Sequence, residues 1–216
     1  KLPLIHFGPG KLSLLPGIIS RFGKKIIIVS NEKSFTGTEA ASGLFEKLEK
    51  NNISFSVVSI PGEPSPELID NATGKFRSEK IDAVVAIGGG SVMDAGKAIS
   101  AMLYVKGSVK EFLEGVGARE HPGSKVPFIA IPTTSGTGSE ATKNAVLSEI
   151  GKTGFKRSLR HDNFVPDVAL VDPSLTVGCP PEVTAASGMD CFSQLTEAFL
   201  SDKSFEYTDA LAAEGL

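Results

Sequence analysis

Short apolar runs alternate along the chain with longer stretches in which apolar residues recur at helical spacing. The runs KKIIIVS (24–30), ISFSVVS (53–59), IDAVVAI (81–87) and VPFIAIP (126–132) predict strands. The third and fourth are nearly continuous in apolar residues, as expected where both faces of a parallel sheet are covered. Between them, 38–50, 66–79 and 91–103 predict helices, and Ser65 followed by Pro66 places an N-cap residue ahead of a proline at the first helical position. Such strand–helix–strand repetition implies right-handed crossovers and an open, doubly wound, mostly parallel sheet of Rossmann-like α/β type.

The pattern changes after residue 132. Segments 144–149 and 152–159 flank Gly151 and predict a hairpin, and PDVALVDP (166–173) predicts one more short strand. From Pro180 the pattern is helical to the end, with an apolar face of Leu195, Phe199, Phe205 and Leu211 that nothing later in these residues can cover. Residues 1–175 are therefore expected to form an α/β domain, and 176–216 the beginning of an all-α domain. The chain opens on Lys1 and stops inside a helical pattern, and so reads as part of something longer.

Composition changes this picture little. The chain has 216 residues, is 41% hydrophobic and 22% charged, and carries a formal charge of −3. That balance lacks the dense basic face that nucleic acid requires. Its apolar runs are of core-strand length and far short of a membrane span. Two cysteines, Cys179 and Cys191, make neither a disulfide framework nor a thiolate cluster, so reduced structural roles and a cytoplasmic location are expected. His6, His121 and His161 are scattered and expected on the surface or in loops.

Two stretches carry candidate chemistry. In VVAIGGGSVMDAGKAIS (84–100) a buried strand runs through Gly88, Gly89, Gly90 and Ser91 directly into a helix. Glycines let backbone N–H groups approach a ligand closely, and the helix N-terminus favours a bound diphosphate. The spacing is neither G-x-G-x-x-G nor that of a Walker loop. Asp94 lies one turn into that helix. In IPTTSGTGSEAT (131–142) a second strand ends in hydroxyl and glycine residues, and ligands of open parallel sheets bind beyond the carboxyl ends of the strands.

These two stretches, together with PDVALVDPSLTVGCPPEVTAASGMD and FGPGKL near the start, resemble the iron-dependent (group III) alcohol dehydrogenases in order and separation. The resemblance implies a dehydroquinate-synthase-like fold in a two-domain enzyme of nearly twice this length. Its α/β half would bind NAD or NADP, and a helical half would complete a metal site. By similarity, Gly89, Gly90, Ser91 and Asp94 are expected on the pyrophosphate and nicotinamide side. Thr133, Thr134 and Thr142 are expected on the adenosine and ribose side, and Lys156 is expected to reach the cofactor. Asn31, just after the first predicted strand, stands where a carboxylate would accept from the ribose 2′-hydroxyl; being neutral, it leaves NAD and NADP both open. The resemblance further implies a small alcohol or aldehyde substrate, a homodimer formed through the N-terminal segment, and no turnover by residues 1–216 alone.

Asp190 and Gln194 lie four residues apart, on one face of a predicted helix. In the family an Asp and a His at this spacing help to hold a divalent metal, Fe2+ or Zn2+. Gln194 departs from that pattern, and an amide oxygen is a weaker, harder donor than imidazole. Three arrangements remain open: Gln194 ligates through its oxygen, it supports the site from behind, or tight metal binding has been lost. Read without the resemblance, Asp190 is a carboxylate near a helix start, favoured by the dipole. Two rival readings stay beside the dehydrogenase: a dehydroquinate-synthase or glycerol-dehydrogenase relative, and a nucleotide-binding homologue with an impaired metal site.

Overall fold

Residues 2–216 are described in a computed structural model. Strands β1 (Leu4–Phe7), β2 (Lys25–Ser30), β3 (Ser54–Ser59), β4 (Ala83–Gly88) and β5 (Phe128–Pro132) are followed by the hairpin β6 (Asn144–Glu149) and β7 (Phe155–Arg160), and then by β8 (Val168–Val171). All but the hairpin strands form one parallel sheet in the order β1-β8-β5-β4-β2-β3. The hairpin is antiparallel and separate, with Ser148 opposite Lys156. Helices α1 (Leu15–Ile19), α2 (Glu39–Lys50), α3 (Pro66–Phe76) and α4 (Gly90–Met102) connect the strands, and α5 (Pro181–Phe199) and α6 (Glu206–Gly215) close the chain.

Alternation along the strands explains their unbroken apolar runs. Ile27, Val29, Val84, Ala86, Phe128 and Ala130 face a core shared with α3, α4 and the hairpin. Their neighbours Ile26, Ile28, Val85, Ile87, Ile129 and Ile131 face the other side, against α1 and α2. Both faces are dry, so no polar residue can alternate in β2, β4 or β5. On the first face α4 lies close to the sheet: a Cβ on Gly96 would meet the Ala86 Cβ at 2.6 Å and a Phe128 ring carbon at 2.9 Å. Only glycine permits that approach.

Strand order reverses at β2. The chain steps outward from β2 to the edge strand β3, then returns to pair β4 on the opposite side of β2. The carboxyl ends of β2 and β4 therefore flank the topological switch point, the place where open α/β sheets bind ligands. β5 pairs with β4 on its far side, so both glycine-rich turns emerge side by side at that end of the sheet.

Two local features differ from the sequence reading. β1 and α1 were not expected; β1 has only four residues, and exposed Leu4, Ile5 and Phe7 give it no one-faced pattern. A π-turn occupies Glu32–Thr36 after β2. The helical tail, expected to be the first helices of an all-α domain, is two helices separated at the polar stretch 201–204.

Candidate functional site

Gly88 closes β4 and Gly89 is the N-cap of α4, with no side chain accepting from the helix's first turn. A Cβ on Gly88 would lie 2.7 Å from Val92, and one on Gly90 3.1 Å from Thr137. The turn is thus tightly folded on both sides, and its amides are left for something other than a capping side chain. At a helix N-terminus that something is favoured to be anionic.

Cavities open on either side of this turn. The first, of about 560 Å3, is lined by Gly90, Ser91, Asp94, Thr142, Lys156, Asp190 and Gln194 among others. The second, of about 420 Å3, is lined by Asn31, Thr133, Thr134, Cys179 and an apolar wall that includes Phe35, Leu175 and Val183. The structure therefore brings every sequence-derived candidate except Gly89 into one of two cavities, and a Cβ on Gly89 itself would touch Thr134 at 3.4 Å. It separates Thr142 from Thr133 and Thr134. This paired space about a side-chain-free turn suits an extended dinucleotide, with its phosphates at the α4 N-terminus.

Charge in the first cavity is layered. At the mouth, Glu63 accepts from Lys156 Nζ at 2.7 Å and from Ser148 Oγ at 2.6 Å. The Lys156 and Ser148 hydrogen bonds hold the Glu63 carboxyl below its usual range. Deeper, burial pushes Asp94 up to about 6, an effect partly offset by Lys97 one turn on. Burial likewise brings Lys97 down to about 8, against the attraction of Asp94 and Glu140. A carboxyl that holds its proton more readily repels a bound anion less.

In the second cavity Asn31 is committed to backbone. Its Oδ1 accepts from the Lys33 N–H at 2.8 Å, capping the π-turn, and its Nδ2 donates to the Ile60 carbonyl. Asn31 therefore lines the space with its amide already partnered on both ends.

Asp190 and Gln194 reach the first cavity because Gly136 lets the 133–138 loop touch α5: a Cβ there would sit 2.5 Å from the Ser187 carbonyl oxygen. Gln194 Nε2 donates to Asp190 Oδ2 at 2.8 Å. One sequence reading is corrected here. Asp190 is not near a helix start but in the third turn of a helix that begins at Pro181, beyond reach of the dipole that was invoked for it. Among the described residues no three His, Cys, Asp or Glu side chains come together as a metal site. One carboxylate and one amide, already bonded to each other, do not fit a resident iron or zinc by themselves.

The histidines stand apart. His121 lies in a loop, as expected, but not at the surface: it is 8% exposed and packed edge-on against Phe112 and Phe164. His161 caps the turn Asp162–Phe164 and lies against Gly123, away from both cavities. His6 belongs to β1. Two cavity-shaping residues escaped the sequence: Glu63, hidden in the turn-like PGEPSP, and Lys97. For Lys97 a signal existed, a lone charge within the otherwise small and apolar AGKAISAM.

Comparison with known proteins matches this geometry. The profile of the family described as "Iron-containing alcohol dehydrogenase" matches residues 3–173. Long-chain-alcohol dehydrogenase 1 of Geobacillus thermodenitrificans is 36% identical over 215 residues, covering 99% of this chain and 54% of that protein. The probable alcohol dehydrogenase EutG of Escherichia coli is 33% identical over 211 residues, covering 97% of this chain and 52% of its own. Among solved structures, sulfoacetaldehyde reductase from Bifidobacterium kashiwanohense in complex with NAD+ superposes with a TM-score of 0.85 at 32% identity, over 98% of this chain and 55% of that one. The chain thus spans about half the length of the relatives it matches. By profile, identity and fold together, the chain belongs to the iron-containing alcohol dehydrogenase family.

Proposed function

We propose that this chain forms the dinucleotide-binding part of an alcohol dehydrogenase or aldehyde reductase that transfers hydride between NAD or NADP and a small alcohol or aldehyde. The observation that carries this reading is the uncapped α4 N-terminus at the topological switch point, with a cavity on each side. Residues 1–175 would be the α/β domain and 176–216 the opening of a helical domain that closes the cleft. The protein would act in the cytoplasm as a homodimer.

The roles of the residues follow from their placement. Amides of Gly89, Gly90 and Ser91 would take the diphosphate, and Lys156 would add a positive charge from the hairpin. Asp94 would sit beneath, largely protonated below about pH 6 and so least repulsive there. Thr133, Thr134 and the apolar wall with Leu175 and Val183 would hold the adenosine end. When bound, the nicotinamide supplies or accepts the hydride. The protein's own part is to hold the reacting groups in line and keep water out. Asp190 and Gln194 would face the substrate side of the same cavity.

A second reading is favoured by one observation. Because Gln194 satisfies Asp190 directly, the chain could be a dinucleotide binder whose metal site is impaired. Metal analysis of the purified protein, beside NADH and NADPH oxidation over an aldehyde panel, separates the two. Dinucleotide binding with no metal and no turnover by a protein that includes the helical half selects the second. We propose that residues 1–216 by themselves bind dinucleotide without turning over.

Gly90→Asp tests the binding site itself. It places a carboxylate at the proposed phosphate position and a Cβ against Thr137, and should weaken NADH and NADPH binding by at least about tenfold, the scale of one unfavourable charge contact. Equal affinity of the variant and the unaltered chain by titration calorimetry would remove that turn from the site.

A further inference from the structure

Much of the second cavity's wall is one continuous segment. Ser174, Leu175, Gly178, Cys179, Pro180 and Val183 all line it, and all lie between the end of β8 and the first turn of α5. Leu175 packs against the core on the α1 and α2 side of the sheet. Among the described residues, however, 173–183 make no hydrogen bond outside the segment itself, α5 and Asp172. Asp172 is 2% exposed and stands just ahead of the segment. Its Oδ1 accepts from the Ser174 N–H at 3.1 Å, the Ser174 hydroxyl at 2.5 Å and the Gly10 N–H at 3.1 Å. Its Oδ2 accepts from the Leu12 N–H at 2.9 Å, 160 positions away. A buried carboxylate is rare unless its oxygens are answered in this way.

We propose that Asp172 is a positioning residue for the adenosine end of the dinucleotide: its carboxylate moors the segment that walls the second cavity to the turn that follows β1. The proposal rests on the reading that this cavity holds adenosine. Asp172 does not itself line that cavity, and acts on it through Ser174 and Leu175.

The count of donors explains why the mooring is a carboxylate. Four donors converge on two oxygens that donate nothing back. Burial pushes the carboxyl up, but the bonds from Leu12, Ser174 and Gly10 together outweigh it and hold the group below its usual range. An amide of the same shape cannot replace it, because it has one acceptor oxygen and an NH2. With its oxygen toward Gly10 and Ser174, the NH2 faces the Leu12 N–H, donor against donor; turned round, it faces the other three donors. Asn at this position thus keeps the packing and cuts the link to the turn after β1.

The experiment compares the unaltered chain with Asp172→Asn in binding NADH, NADPH and ADP by titration calorimetry, beside hydrogen exchange of residues 174–183 and urea melts. ADP carries the adenosine and the diphosphate but no nicotinamide. All three should bind about tenfold more weakly to Asp172→Asn, the scale of one buried donor left unanswered, and 174–183 should exchange faster. A lowered urea midpoint with unchanged affinities makes Asp172 a fold-stabilising residue only and overturns the proposal. A loss that the dinucleotides show and ADP does not share overturns it too, since the fault then lies at the nicotinamide end. Should Asp172→Asn fail to fold, Ser174→Ala serves: it keeps the carboxylate, removes one bond to the wall, and should raise all three Kd values about threefold. Equal affinities in Ser174→Ala overturn the proposal as well. Absence of binding of all three ligands by the unaltered chain sinks the functional reading instead. Unchanged exchange of 174–183 in Asp172→Asn sinks the Asp172 proposal whether or not dinucleotide binds.

Discussion

His121 has both ring nitrogens committed: Nδ1 accepts from the Gly123 N–H at 3.0 Å, and Nε2 lies 3.2 Å from the Ala101 carbonyl, to which it donates in the neutral ring. A second proton would have to sit on Nδ1 and break the first bond in an apolar surround. Burial accordingly lowers His121 below 6.5, despite its bond to Ala101. The unfolded chain therefore binds a proton before the folded one does as pH falls. His121 contributes stability that is present above about pH 6.5 and is lost as pH drops through the folded value. Folding free energy should fall by up to about 1.4 kcal/mol per pH unit in that window. His121→Gln, which keeps a donor and an acceptor without titrating, should flatten the profile between pH 7 and 5 in urea melts. An unaltered slope would clear His121 of the effect. Residue identity announced none of this. The three histidines looked alike in the sequence, and only packing by Phe112 and Phe164 set His121 apart.

Helix α4 shows what an element requires beyond its own pattern. Its helicity and apolar character could be read from the chain, as could the glycine turn that feeds it. How close it lies to the sheet could not, because that depends on what stands opposite Gly96. Ala86 and Phe128 fill that space, so Gly96→Val would push α4 outward or force off-rotamer side chains. A loss of about 1–3 kcal/mol is expected, read as a lowered urea midpoint, with weaker dinucleotide binding because the N-terminus moves with the helix. Wild-type stability in Gly96→Val would contradict the close packing. Strand legibility follows the same logic. β2, β4 and β5 declare themselves because both faces are dry, whereas β1 hides because neither is.

At the scale of the whole molecule, apolar surface is concentrated in two places. One is the sheet edge at β1, where Phe7 is 69% exposed and Leu4 and Ile5 stand out beside it. The other is the outer side of α5 and α6, with Phe192, Phe199, Phe205 and Leu211 exposed. An open apolar edge strand invites pairing with another chain. The proposed homodimer would use it, and Ile5→Lys with Phe7→Lys should convert a dimer to a monomer by light scattering while the thermal midpoint of the α/β part changes little. A monomeric unaltered chain would refute the dimer. Among the described residues no helix is long and apolar enough to cross a membrane, so that apolar face is not a span.

The local alphabet of this protein was decided by sequence: dry strands from continuous apolar runs, helix starts from Ser65 and Pro66, and two glycine-rich turns placed straight after strands. Those are properties of neighbours along the chain. Tertiary structure alone decided which strand ends meet and that Asn31 is already partnered. It also carried Asp190 and Gln194, already neighbours on one helix face, to the first cavity, and buried Lys97 beneath a segment more than forty positions away. Such facts depend on distances through space and on access to water, and side-chain identity does not encode either one.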